Sequence, residues 1–379
     1  MDSKRDLTLK YEFTIYRTGS WKAWRPASLE AKNNSSHQAS QHPSLQASQN
    51  LLFYKETHMI ETKITRMLGI KYPIIGGTMM WISDADFVAA ISNAGGLGVL
   101  ASAMYDSREA FADAIDRIRT LTDKPFAVNI NLFPAMRQMD NDVYMEVLEE
   151  KEVKIVETSG HSAPEELCRR FKQAGMTWIH KCVGVRYAQK VQGLGADIVT
   201  VVGYENGGAT GKLDIGTLVL VPAVVDAVQI PVIGGGGVSD GRSLMAILSL
   251  GAEAVIMGTR LLVTRECPIH DNLKNALIGT NELDTTLIMR SLNATHRVWR
   301  NAAADNCTNL EACGADFPEI LEVVSGEKAK KMYQEGDLDE GILSCGQGIC
   351  FAREILPVKT LFDRMMSRAE EIRNKMKAA

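Results

Sequence analysis

Two glycine-rich segments in the second half of the chain have the composition of a phosphate-binding site. The first is Gly234–Gly237 within VIGGGGVSDG, and the second is Gly258–Arg260 within MGTR. Glycines lack a Cβ, so their backbone can approach an anion closely and several N–H groups can point at one phosphate. Asp240 is placed to cap the following helix, and Gly258 with Thr259 to open another whose N-terminus favours negative charge. One glycine pair alone would indicate a plain turn, whereas two such segments together predict a phosphate ligand.

Three further features could contact a ligand. Gly76 and Gly77 close an apolar run and offer bare backbone to a flat ring, although a turn explains them equally well. Asn129 is a polar residue inside another apolar run, where a satisfied core amide is the alternative. Lys181 ends a third run, and it could form a Schiff base with pyridoxal phosphate or lie at the surface.

The elements that must position these residues alternate between short apolar runs and amphipathic helical segments. The runs are 73–78, 97–102, 126–131, 154–159, 177–182, 197–202, 231–236 and 254–258. Continuous apolar runs indicate strands buried on both faces, and strict alternation with helices indicates a parallel sheet. A doubly wound open sheet would place its glycine-rich turn after the first strand. Here the glycine turns follow strands seven and eight, where barrels bind phosphate, so the pattern predicts an α/β fold with a (β/α)₈ TIM barrel.

Composition excludes several classes of protein. The 379 residues carry a net charge of −4, so a nucleic-acid partner is not expected. The longest apolar runs, such as 218–225, are too short to span a membrane. Seven cysteines at irregular spacing, without a CxxC pair, predict free thiols in a reducing cytoplasm and no metal site.

The chain divides into four predicted segments. Residues 1–58 are poor in large apolar side chains, so we expect a disordered extension or an upstream mis-start before Met59. Residues 59–265 form the predicted barrel, and 266–340 a helical excursion beside its mouth. Residues 341–379 form a closing segment with a C-terminal helix.

An ordered set of motifs resembles a known family. The motifs are IKYPIIGGTM, AGGLGVLAS, KPFAVNI, GADIVTVVGYENGG, IPVIGGGGVSDGRS and LGAEAVIMGTR, followed in the tail by GILSCGQGI. The set covers roughly 62–300 and 341–349, and it resembles the nitronate monooxygenase (2-nitropropane dioxygenase) family and the related FMN-dependent enoyl-acyl-carrier-protein reductases. The resemblance implies a barrel that holds FMN without a covalent bond.

The resemblance also implies which residues would contact FMN. Gly76, Gly77 and Thr78 would lie against the flavin ring, Asn129 would hydrogen-bond it, and Lys181 and Gln347 would lie near it. Gly207 and Gly208 form the loop after strand six. Gly235, Gly236 and Gly237, with Gly258 and Thr259, would hold the phosphate.

This sequence departs from the family at one position. The family's loop after strand six reads EAGGH, and the resemblance makes its histidine the expected catalytic group. Here the loop 205–209 reads ENGGA, and Ala209 can neither accept nor donate a proton. The candidate replacements are Tyr204, Glu205, His161, His180 and His296, and we rank Tyr204 and His296 first. His180 and Lys181 cannot both face the barrel lumen, because neighbours along a strand point to opposite faces.

Four functions are consistent with these residues. The first is an FMN-dependent monooxygenase that oxidises alkyl nitronates with O₂; a nitronate is already deprotonated and so needs a base less than a nitroalkane does. The second is an NAD(P)H-dependent flavin reductase of enoyl thioesters or quinones. The third is a catalytically degenerate FMN-binding barrel, and the fourth is a phosphate-sugar enzyme without flavin. The expected partners are a small-molecule substrate with O₂ or NAD(P)H, and a second copy of the chain in a homodimer.

Overall fold

The structure is a computed structural model that describes residues 60–132, 139–160 and 165–378. The predicted extension over 1–58 lies outside these residues. The boundaries predicted at 265 and 340 stay predictions. In the described part of the chain, no helix is long and apolar enough to cross a membrane.

Eight parallel strands form the centre of the fold. They are β1 (Ile74–Gly76), β2 (Gly98–Ala101), β3 (Phe126–Asn131), β4 (Ile155–Ser159), β5 (Thr177–Cys182), β6 (Ile198–Val202), β8 (Val232–Gly235) and β9 (Ala254–Met257). The short strand β7 (Gly208–Ala209) lies outside the barrel sheet. They hydrogen-bond in the order β2-β3-β4-β5-β6-β8-β9-β1, and a parallel bridge between Ile75 and Leu97 joins the first strand to the second. The predicted (β/α)₈ barrel is therefore confirmed, and each strand lies within one of the eight apolar runs.

Helices connect the strands and cover the barrel. They are α1 (Lys63–Leu68), α2 (Ala85–Asn93), α3 (Arg108–Leu121), α4 (Asn141–Glu150), α5 (Glu165–Gln173), α6 (Val185–Leu194), α7 (Thr217–Val225), α8 (Gly241–Ser249) and α9 (Thr259–Leu262). Side-chain caps fix several starts. Asp84 accepts from Phe87 N, and Asp240 accepts from Arg242 N and Ser243 N, as the sequence predicted for Asp240.

The barrel lumen is a packed apolar core rather than a channel. One cluster of buried side chains fills it: Ile75, Leu97, Val99, Ala127, Ile155, Ile179, Ile198, Val202, Ile233, Ala254 and Ile256. Helix α1 adds Ile64 and Leu68 to the same cluster. Burial of each large aliphatic side chain contributes about 1.5–3 kcal/mol, so this layer gives the site above it a rigid base.

The segment after β9 contains the predicted helices and also two strands that were not predicted. It contains helices α10 (Asp271–Ile278), α11 (Ala302–Ala312), α12 (Phe317–Val324) and α13 (Gly326–Glu335), but also strands β10 (Thr285–Ile288) and β11 (His296–Trp299). These two strands pair antiparallel, and β11 pairs with β7 (Gly208–Ala209), which lies in the loop after β6. Neither strand is a continuous apolar run of the kind that marks the barrel strands, and β7 finds its partner almost 90 residues away.

The chain then returns to the barrel. Residues 344–348 pass over the loop after β6, and the final helix, α14 (Val358–Ala378), packs on α8 and α2. Gly241 in the first turn of α8 lies against the backbone of α14 at Met365 and Ala369. Only a residue without a Cβ fits this contact.

Replacement of Gly241 tests that contact. A Cβ there would lie 2.7 Å from Ala369 N and would overlap with the Met365 carbonyl oxygen, so Gly241→Ala should destabilise the protein by about 1–3 kcal/mol. Gly193→Ala is the matched control, because Gly193 lies within α6 with open space around it and alanine should stabilise that helix by up to about 1 kcal/mol. Thermal or urea unfolding of both variants measures the difference, and equal midpoints would contradict this account of the α8–α14 contact.

Candidate active site

A cavity of about 720 Å³ opens at the carboxyl ends of the barrel strands. Eleven of the residues that line it are glycines, so long stretches of its wall are bare backbone. Among the described lining residues, Lys181 and Lys212 carry the only full charges and there is no carboxylate. The cavity therefore suits a ligand that has both a flat surface and negative charge.

The four glycines of the run Gly234–Gly237 have two different roles, two of them in the cavity wall and two in strand packing. Gly236 and Gly237 line the cavity with φ angles of 102° and 72°, a left-handed conformation that favours glycine. Gly234 and Gly235 lie within β8 instead, where a Cβ would press on Ile247 at 2.6 Å or overlap with Ile256. Packing of the strand therefore explains why Gly235 has no side chain, and its assignment to the phosphate stays a prediction.

The end of β9 contributes Gly258 and Thr259. Both line the cavity, and the Thr259 hydroxyl accepts a hydrogen bond from Gly346 N at 2.8 Å, which leaves its own hydrogen free to donate to a ligand. The Arg260 side chain is not among those that line the cavity. It is buried behind the strand, where it donates to the carbonyls of Val263 and Glu354, and burial lowers the pKa of its guanidinium.

The end of β1 supplies Gly77 and Thr78 to the wall. Gly77 lies beside the backbone of β9, where a Cβ would be 3.3 Å from the Met257 carbonyl oxygen. Gly76 is not among the lining residues, and its predicted contact with the ring stays a prediction. A Cβ there would meet the Ile91 side chain at 2.8 Å, so Gly76 allows α2 to pack closely on β1.

A polar layer lies directly above the apolar lumen. Asn129 and Lys181, both expected near the flavin, line the cavity here, and Ser159 lines it beside them. Between them is Glu157, which sequence reasoning missed because it follows apolar residues in a short strand. Its carboxylate accepts hydrogen bonds from Thr78 Oγ1 at 2.7 Å and Asn129 Nδ2 at 2.8 Å, and lies 3.7 Å from Lys181 Nζ.

The loop after β6 lines the side of the cavity. Asn206, Gly207, Gly208 and Ala209 all reach it, and Asn206 Nδ2 donates to the carbonyls of Gly207 and Ala209 at 2.8 and 3.1 Å. Gly207 and Gly346 pass so close that a Cβ on the former would lie 2.7 Å from Gly346 N. The tail therefore holds this loop in place.

Tyr204 and Glu205, both candidate replacements for the family's histidine, are not among the residues that line the cavity. Glu205 accepts from Thr217 N and Thr217 Oγ1 at 2.9 and 2.7 Å, and thus caps α7. The Tyr204 ring stacks with the guanidinium of Arg297 at 4.6 Å, while Arg297 also donates to the Tyr204 carbonyl. Both side chains are engaged in holding the loop.

His296 lies beside the position that lacks a histidine. It is the cross-strand partner of Ala209 in the small sheet, and it lines the cavity. Its Nδ1 lies 2.7 Å from the Ala294 carbonyl, so this nitrogen carries the hydrogen and Nε2 is the acceptor in the neutral ring. Burial lowers the pKa of His296, which favours that neutral form.

The remaining candidates lie elsewhere. His161 falls outside the described residues. His180 faces away from the lumen, while Lys181 faces the cavity, as the alternation along the strand requires. Gln347 is not a lining residue: its backbone N–H donates to the Glu205 carbonyl, and its neighbours Gly346 and Gly348 reach the cavity instead.

The sequence was compared with models of known families and with characterised proteins. The sequence model of a family described as nitronate monooxygenase matches residues 61–367. A (3aS,4S,5R,7aS)-5-hydroxy-7a-methyl-1-oxo-octahydro-1H-indene-4-carboxyl-CoA dehydrogenase from Rhodococcus jostii is 39% identical over 240 residues. The match covers 63% of this chain and 65% of that relative, so the chain spans just under two thirds of its length.

Two solved structures share the fold over most of the chain. FabK from Thermotoga maritima has a TM-score of 0.77 and 33% sequence identity, with 84% of this chain and 99% of that chain covered. A nitroalkane oxidase from Streptomyces ansochromogenes has a TM-score of 0.71 and 27% identity, with 83% and 99% covered.

His180, the neighbour of Lys181 on β5, should make the stability of the fold depend on pH. Trp178 Nε1 donates to Thr158 Oγ1, whose hydroxyl is left to donate to His180 Nδ1 at 2.7 Å, and burial lowers the pKa of His180 to about 4. Because the unfolded chain binds this proton near pH 6.5 and the folded protein only near pH 4, stability should fall as pH drops through that window. The loss from this group is about 3 kcal/mol.

Urea unfolding at several pH values measures the effect. His180→Gln should be less stable than the wild type at pH 7.5, where both side chains are neutral, and should lose less stability between pH 6.5 and 4. Parallel losses in the two proteins would show that His180 is not the group responsible.

Proposed function

The chain belongs to the nitronate monooxygenase family of flavin-dependent oxidoreductases, and we propose that its cofactor is FMN and that it oxidises alkyl nitronates with O₂. The observation that carries this proposal is the composition of the cavity. Its wall combines bare glycine backbone, two lysines and no carboxylate among the described lining residues. A planar ring with a phosphate and an anionic substrate match these properties together.

The residues at the two ends of the cavity fit FMN. At one end, Gly236 and Gly237 adopt left-handed backbone, and a Cβ on Gly236 would overlap with Thr217 Oγ1, so only glycine forms this wall. With Gly258 and Thr259 these residues would hold the phosphate. At the other end, Gly77, Thr78, Asn129, Lys181, Gly207 and Gly208 would surround the ring.

Bound FMN would supply the two-electron chemistry, while the protein binds and orients the substrate. Lys181 and Lys212 would attract an anionic nitronate into the cavity. Ala209 leaves the loop after β6 without a base, which a nitronate does not need because its carbon is already deprotonated. His296 would flank the substrate from the opposite strand, without a hydrogen bond to the nitronate oxygens, because Nδ1 donates to Ala294 and Nε2 is only an acceptor.

A second candidate is oxidation or reduction of an acyl-CoA thioester. It is favoured by the 39% identity to a relative named as a carboxyl-CoA dehydrogenase. Lys212 is exposed at the cavity and could contact the phosphates of such a substrate. On this proposal two electrons would pass, through bound flavin, between the acyl chain of the thioester and a nicotinamide, and nitronates would leave the flavin oxidised.

Compartment and assembly are part of the proposal. All seven cysteines are free and six are buried, which supports a reducing, cytoplasmic compartment. Leu218 and Val219 are 71% and 64% exposed on α7, and this apolar face supports the homodimer expected from the sequence.

Gly258→Ala tests the phosphate end of the cavity. The nearest protein atom to a Cβ at this position is Met79 Sδ at 3.4 Å, an ordinary contact, so the fold should accept alanine while the ligand loses space. We expect FMN affinity to fall about tenfold, a loss of about 1.4 kcal/mol, with little change in the melting temperature of the cofactor-free protein. Titration of FMN fluorescence measures it, and Gly193→Ala is the control. Unchanged affinity would place the phosphate elsewhere.

Anaerobic mixing with propyl-2-nitronate tests the reaction. The flavin absorbance should bleach with the nitronate and recover on addition of O₂, whereas neutral 2-nitropropane should have little effect because Ala209 supplies no base. Ala209→His should raise the rate with 2-nitropropane by about 10² and change the nitronate rate little. Bleaching by NADH or by an acyl-CoA, but not by the nitronate, would favour the second candidate and overturn the first.

A further inference from the structure

The geometry points to Glu157 as a positioning residue for the cofactor site. We propose that its buried carboxylate fixes both the direction of the Asn129 amide and the position of the Lys181 ammonium, and so sets the hydrogen-bonding character and charge of the cavity floor. This inference rests on the proposed function, because FMN is the ligand that would contact this floor, which consists of Asn129, Glu157 and Lys181.

Glu157 is placed where a carboxylate is costly unless it is paired. It is 2% exposed, on the lumen face of β4, two residues beyond Ile155 of the apolar core. Desolvation of a buried carboxylate must be offset by donors. Thr78 Oγ1 and Asn129 Nδ2 supply these donors, and the Lys181 ammonium, 3.7 Å away, adds an opposite charge from a third strand end.

The first consequence concerns Asn129. An ionised carboxylate only accepts hydrogen bonds, so the amide must present its NH₂ group to Glu157. The same Nδ2 also donates to Ser159 Oγ at 3.3 Å, which occupies both amide hydrogens. Asn129 Oδ1 is therefore left as an acceptor, and the Asn129 side chain offers a ligand no N–H group.

The second consequence concerns Lys181. Its side chain is 23% exposed and lines the cavity, with Nζ 3.7 Å from Glu157 Oε1. The pair is neutral as a whole, but Lys181 meets the ligand and Glu157 lies behind it. Thr200 is the neighbour of Lys181 on β6, but its buried hydroxyl has no protein partner and so does not bind the ammonium. Of the two neighbouring strands, β4 therefore holds the ammonium, through Glu157.

Removal of the negative charge of Glu157 and removal of the positive charge of Lys181 should shift the reduction potential of the flavin in opposite directions. Glu157→Gln leaves the ammonium uncompensated and stabilises the reduced, more negative cofactor. Lys181→Met leaves the carboxylate uncompensated and stabilises the oxidised cofactor. A role limited to support of the fold would weaken binding in both variants and would not give shifts of opposite sign.

Equilibration of each FMN-loaded variant with a reference dye measures the reduction potential. We expect the ratio of reduced to oxidised flavin to rise about tenfold in Glu157→Gln and to fall about tenfold in Lys181→Met, about 30 mV each way for two electrons. The double variant should return towards the wild type. Glu253→Gln is the control, because it makes the same charge change at the opposite end of the barrel. Shifts of the same sign, or none, would overturn the proposal.

Urea unfolding of the cofactor-free variants separates this inference from the proposed function. Each single variant should lose stability, and the double variant should lose less than the sum of the two, which shows that the pair interacts without any ligand. Additive losses would overturn the positioning role whether or not FMN binds. If the wild type takes up no FMN, the proposed cofactor is wrong, while the unfolding data still decide whether Glu157 anchors Lys181.

Discussion

The alternation of side chains along the barrel strands is the constraint on which the site depends. In a closed barrel every second residue faces the lumen, and the lumen must be filled. Ile155 therefore requires Glu157 to face inwards, Ile179 requires the same of Lys181, and Ala127 the same of Asn129. Once the apolar layer is packed, the polar layer above it has no freedom to turn away. A shift of one residue in β5 would exchange Lys181 for His180 at the cavity.

The fold was predictable because its signals are local. Each strand is an apolar run, helix starts carry their own caps, and the glycine segments follow the strands whose ends meet in space. The same local signals cannot separate the two roles that a glycine can have, as Gly235 and Gly76 show. The sequence shows that a glycine is present, but it does not show whether a side chain is excluded there by a ligand in the cavity or by a neighbouring helix or strand. Gly234 and Gly235 serve the packing of β8, whereas Gly236 and Gly237 line the cavity.

The features that escaped prediction all depend on distant partners. Glu157 lies within an apolar strand and gains meaning only beside Thr78 and Lys181. The small sheet joins β7 to β11, which places His296 opposite Ala209. The tail closes the same loop through Gly346, whose N–H donates to Thr259. No periodicity in the sequence carries such pairings, because each side of a contact appears in a separate part of the chain.

The contact between Gly346 and Thr259 bears on when the protein could acquire its cofactor during synthesis. Domains begin to fold from the N-terminal side as the chain leaves the ribosome. The glycines of β8 and β9 would emerge well before the tail that supports Thr259 and Gly207. The barrel of a nascent chain could thus form while one wall of the cavity is still missing. On this view flavin is captured late, once residue 346 has left the exit tunnel and closed the loop.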